Sequence, residues 1–458
     1  MGRTRKSAVV RAAVAAVVLT AVLATGSGPA GSASTQVVDP FGEFTGVTPA
    51  RILDTRSGNG QPAPGPVGPG SSIDVQVTGR GGVPATGVQA VVLNVTAVTP
   101  SASSFLTVWP TGLARPEVSN LNVVPGQTVP NAVTVGLGDG GRVSVFNSSG
   151  ATHVIFDVVG FYADEIGPTG SRFLSTPPSR LFDTRSGLGG VPAVPVGSGG
   201  TLTFDVTGRG GIPATGVTGV VMNVTVTEPT GGGFLTVYPA DVARPDASSL
   251  NFMPGQTVPN LVTIRVPASG DVAFFNANGS THLLADAVGY YTTGVGSEEG
   301  RFIALEPERL FDTREGFGPI FPDEVVGLVL PDAPPEFGAL VSNATVTQPT
   351  AFGWLTVYPN FGCDPPDVST LNFVPGQTVP NMAITQLSTF GGCAPTPATV
   401  LFYNAAGFTH VLFDLFGVFT SPSATPAAAA ALAEEGIARS SPRTAPVIEP
   451  GELRRIDR

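Results

Sequence analysis

Three histidines occur in the chain, His153, His282 and His410, and each stands four residues before an aspartate, Asp157, Asp286 and Asp414. In an extended strand that even spacing turns both side chains to one face. A second acidic motif, Asp-Thr-Arg, accompanies them as Asp54 with Arg56, Asp183 with Arg185, and Asp312 with Arg314. One imidazole and two carboxylates are the ingredients of a hydrolase acid/base pair, or of a weak oxygen-rich metal site. The arginine adds a planar fork for a carboxylate, sulfate or phosphate ligand. The competing reading is structural. Val, Ile, Phe and Leu flank the histidines, which marks a mostly buried strand where His, Asp and Arg satisfy one another through hydrogen bonds. Asp54 and Arg56 then form an ion pair that anchors the first strand of each unit. The structural reading is the favoured one, with no catalytic residue, metal or cofactor expected.

A second set of residues suits a sugar. Trp109, Tyr238 and Tyr358 share one repeat position, each just before a proline. Asn122, Asn251 and Asn372 recur with them, as do Gln127, Gln256 and Gln377. In the first copy the polar group also includes Thr128, Asn131 and Asn147. Each amide both donates and accepts, which matches hydroxyls, and an exposed aromatic stacks on a sugar ring. Plainer uses exist for both. Amides cap turns, and an aromatic at a strand end covers the edge of a core.

These residues recur because the chain is three copies of one unit. The Asp-Thr-Arg aspartate returns every 129 residues. Asn94-Val-Thr96 returns as Asn223-Val-Thr225 and Asn343-Ala-Thr345, and Pro125-Gly-Gln-Thr-Val-Pro-Asn131 recurs unchanged at 254–260 and 375–381. Each unit has the length of a whole domain. The expected boundaries are 37–163, 170–293 and 300–421, with linkers at 163–171 and 292–300. In the first unit, eight strands are predicted at 50–55, 71–78, 88–99, 104–109, 118–123, 129–136, 142–147 and 152–162. β-Branched and aromatic residues fill them, and Gly, Pro, Asn or Ser punctuate them. That count predicts an all-β protein of three tandem antiparallel β-sandwich domains, jelly-roll-like. Asn94-Val-Thr96 has the form of a glycosylation acceptor but falls inside a predicted strand. The third copy lacks the Thr-Gly-Arg-Gly-Gly loop of residues 78–82 and 207–211.

Composition agrees. Gly (59) and Pro (44) are abundant in 458 residues, which disfavours helices. Charged residues are only 12% and the net charge is −11, which repels phosphate backbones and disfavours nucleic acid. Residues 1–11 are basic, 12–24 are apolar, and Gly31-Ser32-Ala33 are small, so residues 1–33 read as a secretory signal peptide. No second long apolar segment follows, and the mature chain is expected outside the cytoplasm. There, Cys363 and Cys393 pair as a disulfide between two loops specific to copy three. Residues 422–458 are Ala/Pro/charged and read as a disordered tail, with a short helix near 427–438. No HExxH, CxxC, P-loop or EF-hand motif occurs, and no G-x-S-x-G nucleophile elbow stands out.

The motif string from Asp-Thr-Arg through Leu-Thr-Val-Tyr-Pro and Pro-Gly-Gln-Thr-Val-Pro-Asn to Thr-His resembles secreted tandem repeats of actinobacteria and related bacteria. The resemblance covers residues 46–420 and implies an exported, β-rich, repeat-built protein. The leading expectation is a secreted, non-enzymatic protein that binds or decorates the cell envelope or an extracellular glycan, since linked weak sites gain avidity. The alternatives are a purely structural spacer or adhesin, and a hydrolase using the His/Asp pair.

Overall fold

The structure, a computed structural model, describes residues 42–163, 170–295, 298–331, 333–388, 392–394, 398–425 and 452–456. The signal peptide expected at 1–33 and the helix expected near 427–438 lie outside them. Contacts divide the chain into Met1–Val38, also outside, and one compact unit, Asp39–Arg458. Among the described residues every regular element is a strand.

Each repeat contributes two sheets. In repeat 1 the inner sheet runs β1 (Glu43–Asp54), β8 (His153–Ala163), β3 (Val88–Val98), β6 (Thr128–Gly136). The outer sheet runs β2 (Ser71–Gln76), β7 (Arg142–Asn147), β4 (Ser104–Pro110), β5 (Leu121–Val123). These eight strands fall close to the predicted ones, except that β1 starts earlier. Repeat 2 repeats the order with β9 (Arg172–Asp183), β16 (His282–Thr292), β11 (Val217–Thr227) and β14 (Val258–Arg265) inside. Its outer sheet is β10 (Thr201–Asp205), β15 (Asp271–Asn276), β12 (Gly233–Pro239) and β13 (Leu250–Phe252). Repeat 3 has β17 (Phe302–Asp312), β24 (His410–Thr420), β19 (Phe337–Thr347) and β22 (Val379–Gln386) inside. Its outer sheet is β18 (Glu324–Val329), β23 (Thr399–Asn404), β20 (Gly353–Pro359) and β21 (Leu371–Phe373).

The pattern of β3 explains why the repeats do not stand apart. It reads Val-Gln-Ala-Val-Val-Leu-Asn-Val-Thr-Ala-Val, with no strict alternation. A strand apolar on successive positions is buried on both faces. Val91, Leu93 and Val95 point into the core between the two sheets of repeat 1, while Ala90 and Val92 join a core shared by all three repeats. The six sheets therefore close into a propeller-like ring instead of three free-standing sandwich domains.

Aromatic rings line the shared core. Phe44 stacks on Tyr291 at 4.0 Å, Phe173 on Phe419 at 4.4 Å, and Phe302 on Tyr162 at 4.4 Å. Each stack joins two different repeats, so the three close a cycle. Glycine makes room for them: a Cβ at Gly160 would overlap the Phe44 ring, and one at Gly289 the Phe173 ring. The hydroxyls of Tyr162 and Tyr291 meet at 2.5 Å, fully buried. Tyr162→Phe alone strands the Tyr291 hydroxyl and is expected to cost about 1–2 kcal/mol in chemical denaturation. Adding Tyr291→Phe should recover most of it, because the third repeat already carries Phe419 at this position.

Two features are particular to repeat 3. Cys363 and Cys393 form a disulfide, as expected, between its two special loops. Residues 452–456 depart from the disordered tail expected at 422–458. Glu452–Ile456 (β25) pairs antiparallel with β18 and becomes a fifth strand of the outer sheet. Its alternating Leu453 and Arg455 against Ile456 give it two distinct faces, which the low hydrophobicity of the whole tail hides.

Candidate binding face

The His/Asp/Arg residues come together in each repeat, but not in the pairs the spacing suggests. The register of β1 and β8 sets Arg51 directly across from Asp157. Arg51 donates to both carboxylate oxygens of Asp157, at 2.9 and 3.2 Å. Arg180 does so to Asp286 at 2.8 and 3.3 Å, and Arg309 to Asp414 at 2.7 and 3.1 Å. The histidines go elsewhere. His153, His282 and His410 each meet a threonine hydroxyl through Nδ1 at 3.0 Å, on Thr55, Thr184 and Thr313. The expected His–Asp contact fails for a simple reason. Four residues of strand separate two side chains by roughly 13 Å even on one face. No acid/base pair is assembled there.

The Asp-Thr-Arg ion pair does form. Arg56 donates to Asp54 from Nε at 2.9 Å, from Nη2 at 2.7 Å and from its backbone N–H at 3.0 Å. Arg185 with Asp183 and Arg314 with Asp312 repeat the fork. The Arg56 hydrogen bond holds the Asp54 carboxyl below its ordinary range. At Asp183 and Asp312 burial opposes the shift, and the arginine hydrogen bonds still win. Asp157, Asp286 and Asp414 behave oppositely. Burial raises them, with the facing arginine offsetting part of the rise. Among the described residues no three His, Cys, Asp or Glu side chains are grouped to hold a metal ion.

Asn122, Asn251 and Asn372 each accept the hydroxyl of the serine three residues earlier through Oδ1, and the other recurrent amides divide into three jobs. Gln127, Gln256 and Gln377 accept the backbone N–H three residues earlier and close their own turns. Asn147 and Asn276 donate to backbone carbonyls of their own repeat. Asn131, Asn260 and Asn381 instead bind another repeat. Asn260 donates to Asn94 Oδ1 at 2.9 Å and accepts the Ala132 N–H at 3.1 Å. Asn381 makes the same pair with Asn223 and Leu261, and Asn131 with Asn343 and Met382. The cycle is closed and buried. The crevice beside it, lined by Asn223, Leu261, Asp286 and Ser369, has a volume of about 30 Å³. That is room for a water, against several hundred Å³ for a small-molecule pocket.

Trp109, Tyr238 and Tyr358 are buried, at 6%, 9% and 3% exposure, so the expected stacking platform is not there. They lie on the outward face of the outer sheet, but in repeats 1 and 3 the loop that follows the strand turns back to the ring. Trp109 donates its indole N–H to Leu113 O, and the Tyr358 hydroxyl donates to Cys363 O.

The aromatics four residues earlier are half-buried in repeats 1 and 2 and exposed in repeat 3. Asn122, Asn251 and Asn372 lie directly across from Phe105, Phe234 and Trp354, a separation of about 5 Å between Cβ atoms. In repeats 1 and 2 this face is shielded: Arg115 covers Phe146 at 4.2 Å and Arg244 covers Phe275 at 4.3 Å. In repeat 3 the arginine is replaced by Pro365 and the covered ring by Tyr403. Trp354 is 42% exposed and Phe352 is 74% exposed. Phe321 and Phe408 of the same repeat pack edge to face at 5.4 Å, both exposed. The other copies have small residues at three of these four positions: Ser103 and Gly232 for Phe352, Ala151 and Ser280 for Phe408, Gly68 and Gly197 for Phe321. The signal was in the sequence: Trp354 is one of two tryptophans, in the copy that departs most from the others.

No protein-family model matches the chain, and neither does any curated protein. Nine chains of solved structures match it, the following two among them. One reports the triple jelly roll fold and turret assembly in an archaeal virus, at 10% identity over 83% of this chain and 91% of that one, with a TM-score of 0.17. The other is the atomic structure of Sulfolobus Turreted Icosahedral Virus, at 10% identity over 84% and 92%, also with a TM-score of 0.17. Likeness at that level carries no argument about this chain.

Proposed function

We propose that this is an exported, non-enzymatic protein whose third repeat binds an extracellular or cell-wall glycan, on a rigid body built by all three. In this reading each repeat is a jelly-roll-like sandwich, and the paired orders β1-β8-β3-β6 and β2-β7-β4-β5 support it. The disulfide supports an oxidising compartment. Membership in the actinobacterial secreted repeats, removal of residues 1–33 and attachment to the cell envelope belong to the same proposal.

The observation that carries it is Trp354, exposed and directly opposite Asn372. A flat ring beside an amide offers stacking and hydroxyl recognition together. Binding to peptidoglycan and to a glycan array tests this. Trp354→Ala should weaken binding at least tenfold, roughly 1.4 kcal/mol, while Trp109→Ala should disturb stability and leave the bound glycan unchanged. No binding by the native protein to any glycan sinks the proposal. The closed asparagine cycle favours a second reading, a ligand-free spacer or adhesin, because it spends the recurrent amides on rigidity.

A further inference from the structure

The outer-sheet edge of repeat 3 differs from its two counterparts. The outward positions of β2 are Ser72, Asp74 and Gln76, and those of β10 are Thr201, Thr203 and Asp205. Polar and charged residues of this kind keep an edge from pairing with another strand. The equivalent positions on β18 are Val325, Gly327 and Val329. This edge is apolar, and β25 occupies it along five residue pairs from Val325–Ile456 to Val329–Glu452.

The fit is specific on both faces of the strand. Leu453 packs against the core of repeat 3. Ile456 packs with Val325, Leu401 and Tyr403 on the outward side. Arg455 pairs with Glu324, and its guanidinium lies 4.9 Å from the Phe317 ring and 4.2 Å from that of Phe321. Backbone pairing supplies affinity in such strand addition, and the alternating side chains supply selectivity.

We propose that this edge is a strand-acceptor site through which copies of the protein join, the segment Glu452–Ile456 of one copy seating on β18 of the next. Twenty-six residues, 426–451, separate Thr425 from Glu452. Covalent geometry lets such a tether span up to roughly 90 Å, against about 55 Å for the diameter of a compact body this size. The strand therefore reaches a neighbour with the same contacts it makes at home, which is the condition for exchange of an identical element. Donor and acceptor are different surfaces, so the exchange either closes reciprocally between two copies or continues head to tail. A tether of this kind holds its own strand at an effective concentration on the order of millimolar. Linking accordingly prevails where copies are crowded, as on a surface.

Gly327 lies directly across from Arg454 on the outward face of the sheet, Gly327 buried and Arg454 exposed. A double variant, Gly327→Cys with Arg454→Cys in one chain, is oxidised at low and at high concentration. Two single variants, one carrying a mass tag, are mixed and oxidised in parallel. The expected result is a cyclised monomer at micromolar concentration. Between 0.1 and 1 mM, mixed single variants should show a roughly tenfold rise in tagged heterodimer, and Ile456→Asp in the donor should abolish it. Cyclisation with no heterodimer at any concentration overturns the proposal. So does failure of the double variant to cyclise, since the strand would then not occupy the edge.

Discussion

Asn260→Ala is expected to lower the free energy of unfolding by about 3–6 kcal/mol. Its side chain serves two buried partners and one half-buried one: it donates to Asn94 Oδ1 at 2.9 Å and to Ser249 O at 2.7 Å, and accepts the Ala132 N–H at 3.1 Å. Two of the three belong to repeat 1. Alanine strands the two buried groups at about 1–3 kcal/mol apiece, and the half-buried Ser249 carbonyl adds less. The nearby Gln256→Ala, which loses one exposed turn bond to the Met253 N–H, should cost under about 1 kcal/mol. Urea unfolding followed by fluorescence separates the two outcomes. Equal effects would show that the asparagine cycle does not hold the repeats together.

Arg51→Ala should cost about 3–5 kcal/mol at neutral pH, because it abandons a buried carboxylate. Asp157 is 1% exposed and its charge is met chiefly by Arg51. The loss should depend on pH in a defined sense. Burial already raises the Asp157 carboxyl above its ordinary 3.8, and Arg51 opposes that rise. Without Arg51 the folded-state value climbs further. A carboxyl raised in the folded state binds its proton more tightly there, so stability is retained below the unfolded value and lost as pH rises through the folded one. The penalty of Arg51→Ala should therefore shrink as pH falls from 7 toward the carboxylate range. In the native protein Asp54, Asp183 and Asp312 act oppositely. Their values are lowered, so the stability they contribute is present above the unfolded value and lost as pH falls through the folded one. Comparing variant and native protein at each pH isolates the Asp157 contribution. A penalty that does not change with pH would mean that Asp157 is not the group left exposed to the loss.

Local pattern determined much of this protein by itself. The 129-residue recurrence defined the units, and punctuated runs of β-branched residues located strands as short as Leu121–Val123. The cysteine pair followed from two loops found in one copy. Tertiary structure decided who meets whom. Period-two alternation tells which side chains share a face, and it says nothing of which face meets another repeat. His153 and Asp157 share a strand yet answer to Thr55 and Arg51 about a hundred residues away. Asn94 and Asn260 stand 166 residues apart in sequence and touch only because the ring closes. Trp109 and Trp354 are both outward-facing aromatics on the same strand of their repeats. A returning loop buries one, and the other stands open in the copy where Pro365 takes the arginine's place. Coverage of that kind depends on the path of neighbouring loops in three dimensions, which residue type and spacing do not encode.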